Sequence, residues 1–157
     1  MRAEARIDLD RLSSNINLIK GVSGTSLMAV VKADAYGHGM VPVAKKLEAA
    51  GADYLGVADI DEALTLRGAG IDLPILAWLH SADETFVRAV EAGIELGVAN
   101  VEQLKRIAKA AQQVGRVARV HLKVDTGLGR NGSSALEWPN VLKQANELEI
   151  GRASCRE

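Results

Sequence analysis

Leu27-Met28-Ala29-Val30-Val31 runs directly into Lys32-Ala33-Asp34-Ala35-Tyr36-Gly37-His38-Gly39, and this junction decides the fold. Five apolar residues are too few for a stable helix but suit a strand buried on both faces. The polar, glycine-containing stretch that follows reads as a loop. Pro42 is tolerated in the first turn of the next helix, which stops near Gly51. Upstream, Leu9, Leu12, Ile16 and Ile19 share one helical face, with Asp8 or Asp10 as its cap.

The strand-then-helix unit recurs along the chain. Tyr54–Ala58, Pro74–Trp78, Ile94–Val98 and Val117–Val124 read as strands. Asp59-x-x-Glu62, Ser81-x-x-Glu84 and Asn100-x-x-Gln103 resemble capping boxes that open the helices behind three of them. A last helix is expected through Leu142 to Leu148. Gly51, Gly70, Gly93 and Gly115 stand where helices should end. Strands therefore start roughly every 20 to 27 residues, the spacing of a parallel βα series. Five such units fit an open doubly wound sheet or part of an eight-fold barrel. An open sheet usually carries a glycine fingerprint after its first strand. Here that loop has a lysine and two glycines, which favours an α/β fold that is a partial (β/α)8 TIM-type barrel.

Composition bounds the function. The 157 residues are 48% hydrophobic and 25% charged, a globular balance. A formal net charge of -1 gives no electrostatic reason to expect nucleic acid or an anionic membrane as partner. No apolar run approaches the ~20 residues of a membrane span. Arg2, Glu4, Arg6 and Asp8 follow Met1 without an apolar signal core, so a cytoplasmic protein is expected. One cysteine, Cys155, excludes an internal disulfide, and three histidines without ligand spacing argue against a metal.

Lys32 stands at the C-terminal end of the first strand, where barrel active sites assemble. Partial desolvation there makes an amine a better nucleophile toward a carbonyl. In the fifth strand Val120, Leu122 and Val124 alternate with Arg119, His121, Lys123 and Asp125. A strand with one apolar and one charged face near that rim reads as a site, because isolated interior charges are costly. Trp78 is expected in the core and His80 in a loop.

Val30-Val-Lys-Ala-Asp-Ala-Tyr-Gly-His-Gly39 closely resembles the cofactor-lysine motif of alanine racemases. The strand ending at Lys123, followed by Asp125-Thr-Gly-Leu-Gly-Arg130, resembles the same family, with Leu128 and Asn131 as mild departures. The resemblance implies a pyridoxal 5'-phosphate enzyme interconverting L- and D-alanine, supplying D-alanine for peptidoglycan. It implies that Lys32 is catalytic and covalently carries the cofactor, and that the Tyr36 hydroxyl reaches its phosphate. Arg130 is implied to contact the cofactor phenolic oxygen and the substrate carboxylate region. Lys123 matches a lysine that is carbamylated in many members, and the carbamate would hold Arg130. No catalytic role is assigned to His38.

The same resemblance implies a homodimer, three further barrel units and a C-terminal β domain, which together supply the second base and most of the phosphate cup. Residues 1–149 are thus expected to be the N-terminal part of the cofactor-binding barrel, and alone to be inactive. Residues 150–157 back-translate to a common sequencing-adapter sequence and are expected to be a non-native tail. Rival readings are a broad-specificity amino-acid racemase, a non-catalytic cofactor-homeostasis protein, and an inactive truncated chain. The homeostasis proteins lack the extended Lys32–Gly39 string.

Overall fold

A computed structural model describes residues 3–148 and the backbone of Gly151 and Arg152. The chain divides into two compact units, Met1–Ile75 and Leu76–Glu157.

The first unit opens with α1 (Leu9–Ser23), capped by Asp8, whose carboxylate accepts the Asp10 and Arg11 amides. β1 (Met28–Val30) leads into α2 (Lys32–Gly37), then α3 (Met40–Ala49), β2 (Tyr54–Val57) and α4 (Ile60–Gly68). β1 and β2 pair in parallel, with Ala29 opposite Leu55. The Leu55 amide continues to the Pro74 carbonyl, just ahead of β3 (Ile75–Ala77). Ala44, Leu55, Val57, Ala63, Leu66, Ile71 and Ile75 have no exposed surface and form this unit's core. Each larger side chain among them contributes about 1.5–3 kcal/mol through burial.

In the second unit β3 pairs in parallel with β4 (Glu95–Val98), and β4 with β5 (Arg119–Leu122). The helices are α5 (Val87–Glu91), α6 (Val101–Val114) and α7 (Trp138–Glu147). Leu104, Ile107, Ala108 and Ala110 on α6 are buried, along with Phe86, Leu96, Val98, Val120 and Val141. Gly51, Gly70, Gly93 and Gly115 end their helices at positive φ. Within each unit the strands pair in parallel in chain order, without reversal. Neither unit contains the switch point of a doubly wound sheet. They have the progression of a barrel.

Three expectations need correction. Ser81-x-x-Glu84 does not open a helix, because α5 starts at Val87. Arg106 on α6 donates to the carbonyls of Ala82 and Glu84 and lies over the Phe86 ring, which holds this stretch as a turn. Trp78 follows β3 and is half-buried, so it is not a core residue. The stretch after Val31 is not an irregular loop but the helical turn α2, described below. Most of the expected tail, 150–157, lies outside the described residues. Gly151–Arg152 form β6, parallel to β5, where the sequence carries no strand pattern. A two-residue strand needs only backbone groups, which every residue supplies.

Candidate active site

In the first unit the chain turns left-handed immediately after Lys32. Ala33, Asp34, Ala35 and Tyr36 all have φ between 51° and 54°. Left-handed backbone costs L-residues roughly 1–2 kcal/mol each, so four in succession store about 4–8 kcal/mol. Such strain persists only where the surroundings over-determine it. Here the surroundings are specific. The Ala35 amide donates to Val31 C=O at 2.9 Å, and the Gly39 amide to Asp34 C=O at 3.1 Å. Asp34 Oδ1 accepts the Met40 amide at 2.6 Å, tying the turn to α3. Glu62 Oε1, from α4, accepts the Ala33 amide at 2.6 Å.

The result is that Lys32 and Tyr36 come together. Lys32 Nζ lies 5.0 Å from the centroid of the Tyr36 ring. The lysine is half-buried, whereas Tyr36 is 72% exposed. His38 Nδ1 sits 2.8 Å from Ala35 C=O, a contact internal to the turn.

In the second unit, β5 begins the expected alternation but ends at Leu122, which is half-buried, and Val124 beyond it is exposed rather than packed. Val120 is buried, while Arg119 and His121 turn to Glu95 of β4, which is 2% exposed. His121 Nε2 is 2.6 Å from one Glu95 oxygen, and Arg119 Nη1 is 3.3 Å from the other. Lys123 follows on the same face. Its Nζ donates to Trp78 C=O at 2.6 Å, and burial pushes its amine below the ordinary value of 10.5. Lys123 reaches Trp78 across Gly97 of β4. A Cβ at Gly97 would stand 3.0 Å from Trp78 Cα and 3.5 Å from Lys123 Cδ.

Arg130 rides on a loop closed at a narrow neck. The Asp125 amide donates to Ser133 C=O and the Ser133 amide to Lys123 C=O, both at 2.8 Å. Ser133, fully buried, donates its hydroxyl to Ala99 C=O at the end of β4. Inside the loop Asp125 Oδ1 accepts the Gly127 and Gly129 amides, which hold its carboxyl below the usual range. Arg130 itself is exposed and makes no hydrogen bond among the described residues, to Lys123 or any other. Among the described residues no cluster of His, Cys, Asp and Glu fits a metal ion. Among the described residues no helix is long and apolar enough to cross a membrane.

Of Glu95, Gly97 and the bond from Glu62 to Ala33, only Gly97 carries a signal in the sequence read by itself. A glycine inside a strand pattern does signal close backbone approach, and Gly97 carries that signal.

The chain is of the class of parallel βα barrel-type proteins, with a lysine just past its first strand. A profile described as "Alanine racemase, N-terminal domain" matches residues 7–153. This chain belongs to that family. It is 51% identical over 152 residues to an alanine racemase of Salinispora tropica, covering 97% of this chain and 41% of the relative. It is 53% identical over 137 residues to one from Thermobifida fusca, covering 87% and 37%. A solved alanine racemase from Streptomyces coelicolor superposes with a TM-score of 0.88 at 41% identity, over 91% of this chain and 39% of that one. A histidine racemase from Leuconostoc mesenteroides gives a TM-score of 0.81 at 32% identity, over 90% and 39%. The fold is thus part of the racemase barrel. The chain spans about two fifths of the length of these relatives.

Proposed function

We propose that this chain is the cofactor-lysine portion of a pyridoxal-phosphate-dependent alanine racemase interconverting L- and D-alanine, and so supplying D-alanine for peptidoglycan. The observation that carries this reading is the strained left-handed turn that holds the Lys32 amine beside Tyr36. The residues present suit that cofactor: a half-buried primary amine, an exposed phenol and an exposed guanidinium. When bound, the cofactor supplies an electron sink for the carbon that loses its proton.

Lys32 would hold the cofactor covalently and move a proton at the substrate Cα on one face. The Tyr36 hydroxyl would donate to the phosphate. Arg130 would direct its guanidinium to the phenolic oxygen and the substrate carboxylate. Burial favours the neutral Lys123 amine, whose nitrogen would add to the carbon of carbon dioxide and release one proton to solvent; the resulting carbamate anion would hold Arg130 by a charge-assisted hydrogen bond. The whole enzyme works as a cytoplasmic homodimer. The 157-residue chain alone lacks the second base and does not turn over. Residues 150–157 are non-native, and resequencing the locus should replace them with a continuing frame.

A second reading, a racemase for another amino acid, is supported by the likeness to the histidine racemase. The test is racemisation of L-alanine and L-histidine by the full-length enzyme with added pyridoxal phosphate. Alanine should be the better substrate, and Lys32→Ala should lower the rate by at least ~10²-fold. Turnover of histidine alone would replace the first reading with the second.

A further inference from the structure

Asp59 and Glu62 open α4 as the sequence predicts, but Glu62 does more than a cap requires. Asp59 Oδ1 accepts the Glu62 amide at 2.9 Å. Glu62 Oε2 reaches back to the Ala58 amide at 2.8 Å, one residue ahead of the cap. Its other oxygen, Oε1, crosses to the Ala33 amide, twenty-nine positions earlier, at 2.6 Å. The chain contains its own comparison. At the start of α6 the equivalent position is Gln103, whose single Oε1 accepts the Ala99 amide at 2.8 Å while Asn100 caps the Gln103 amide. One oxygen therefore suffices for such a helix start. A carboxylate at position 62 adds a second acceptor, and that acceptor goes to the first left-handed residue after Lys32.

Ala33 is where the backbone enters the left-handed region, at φ 51°. Its amide belongs to the peptide that joins Lys32 to Ala33, so a bond to it fixes the plane from which the left-handed turn departs. A carboxylate oxygen of α4 makes that bond at 2.6 Å. The bond thus anchors the turn at its origin, on the Lys32 side. It also links the end of β1 to the end of β2 through one side chain.

We propose that Glu62 is a positioning residue: its Oε1–Ala33 hydrogen bond holds the left-handed turn that sets Lys32 against Tyr36, and so fixes the amine for capture of an aldehyde cofactor. This rests on the proposed cofactor role of Lys32. The discriminating variant is Glu62→Gln, which turns the site into a Gln103-type cap with one acceptor and leaves Ala33 facing an amide donor. Asp59→Ala is the control, since it weakens the same helix start without touching Ala33.

The experiment uses the full-length enzyme and has two readouts. Amide hydrogen exchange across residues 30–39, measured without cofactor, should quicken about ten-fold or more at Ala33 in Glu62→Gln and Glu62→Ala, but not in Asp59→Ala. The pyridoxal phosphate concentration needed for half-maximal borohydride labelling of Lys32 should rise about ten-fold in the same two variants only. Exchange at Ala33 unchanged in both Glu62 variants overturns the anchor. Exchange released while labelling is unchanged, or labelling lost equally in Asp59→Ala, overturns the positioning role. A wild-type enzyme that takes no label at Lys32 overturns the functional reading itself, and the exchange data then decide the anchor separately.

Discussion

Replacing Gly132 with alanine should open the neck of the loop that carries Arg130. Gly132 has φ +118°, outside the region open to L-residues. A Cβ there would lie 2.7 Å from the Asp125 nitrogen, 2.8 Å from the Val124 carbonyl carbon and 3.1 Å from its oxygen. All three are backbone atoms and cannot swing aside. Keeping the neck closed would cost about 1–3 kcal/mol in backbone strain and a similar amount in overlap. Opening it loses the two neck bonds and the Ser133 hydroxyl bond, at about 0.5–1.5 kcal/mol each. The second route is no more costly than the first, so the neck gives way at a net loss of about 2–4 kcal/mol. Gly129 is the control. Its φ is +68°, a Cβ added there would meet nothing within 4 Å, and alanine should cost only about 1 kcal/mol. Urea unfolding of the full-length protein measures the stabilities. Amide exchange at Asp125 and Ser133 reports the neck. A Gly132→Ala protein no less stable than Gly129→Ala, with both amides still protected, would refute the steric argument.

Two further outcomes follow from the second unit. Burial holds the Lys123 amine below its ordinary 10.5, so its neutral fraction at a given pH exceeds that of an exposed lysine. Labelled bicarbonate should therefore give a carbamate signal near neutral pH that Lys123→Met removes and that fades as acid protonates the amine. The linked stability has the same sign: with a depressed folded value, Lys123 costs nothing above 10.5, and the cost builds as pH falls from 10.5 towards the folded value and is constant below it. Signal of equal strength from exposed lysines would contradict this. Glu95→Ala should destabilise by about 2–4 kcal/mol, because Glu95 is buried against Arg119 and His121. Arg119, with two thirds of its side chain in water, should cost less than about 1 kcal/mol on truncation. Matching shifts in the denaturation midpoint for the two variants would show that the pair is not buried in the way described.

Much of the fold is legible because its signals are local. Asp59 and Asn100 cap as their spacing predicts, and the four helix-ending glycines adopt positive φ, since both effects act within a turn of chain. The alternation of β5 likewise places Arg119, His121 and Lys123 on the face away from Val120. What escapes the sequence is non-local. Little in Ala33-Asp-Ala-Tyr36 beyond the aspartate favours left-handed backbone; Glu62, twenty-nine positions on, holds its first amide from α4. Ser81-x-x-Glu84 has a cap's composition, but Arg106 holds its carbonyls outside any helix. Lys123 finds Trp78 only because Gly97 leaves room between them.

Mapping the site of attachment decides whether Lys32 carries the cofactor. The full-length enzyme is incubated with pyridoxal phosphate, reduced with borohydride, digested and analysed by mass spectrometry. The label should fall on Lys32, within the peptide spanning Val30 to Gly39, and should vanish in Lys32→Ala while Lys123→Met retains it. Label on Lys123 or another lysine, with Lys32 unmodified, would contradict the account.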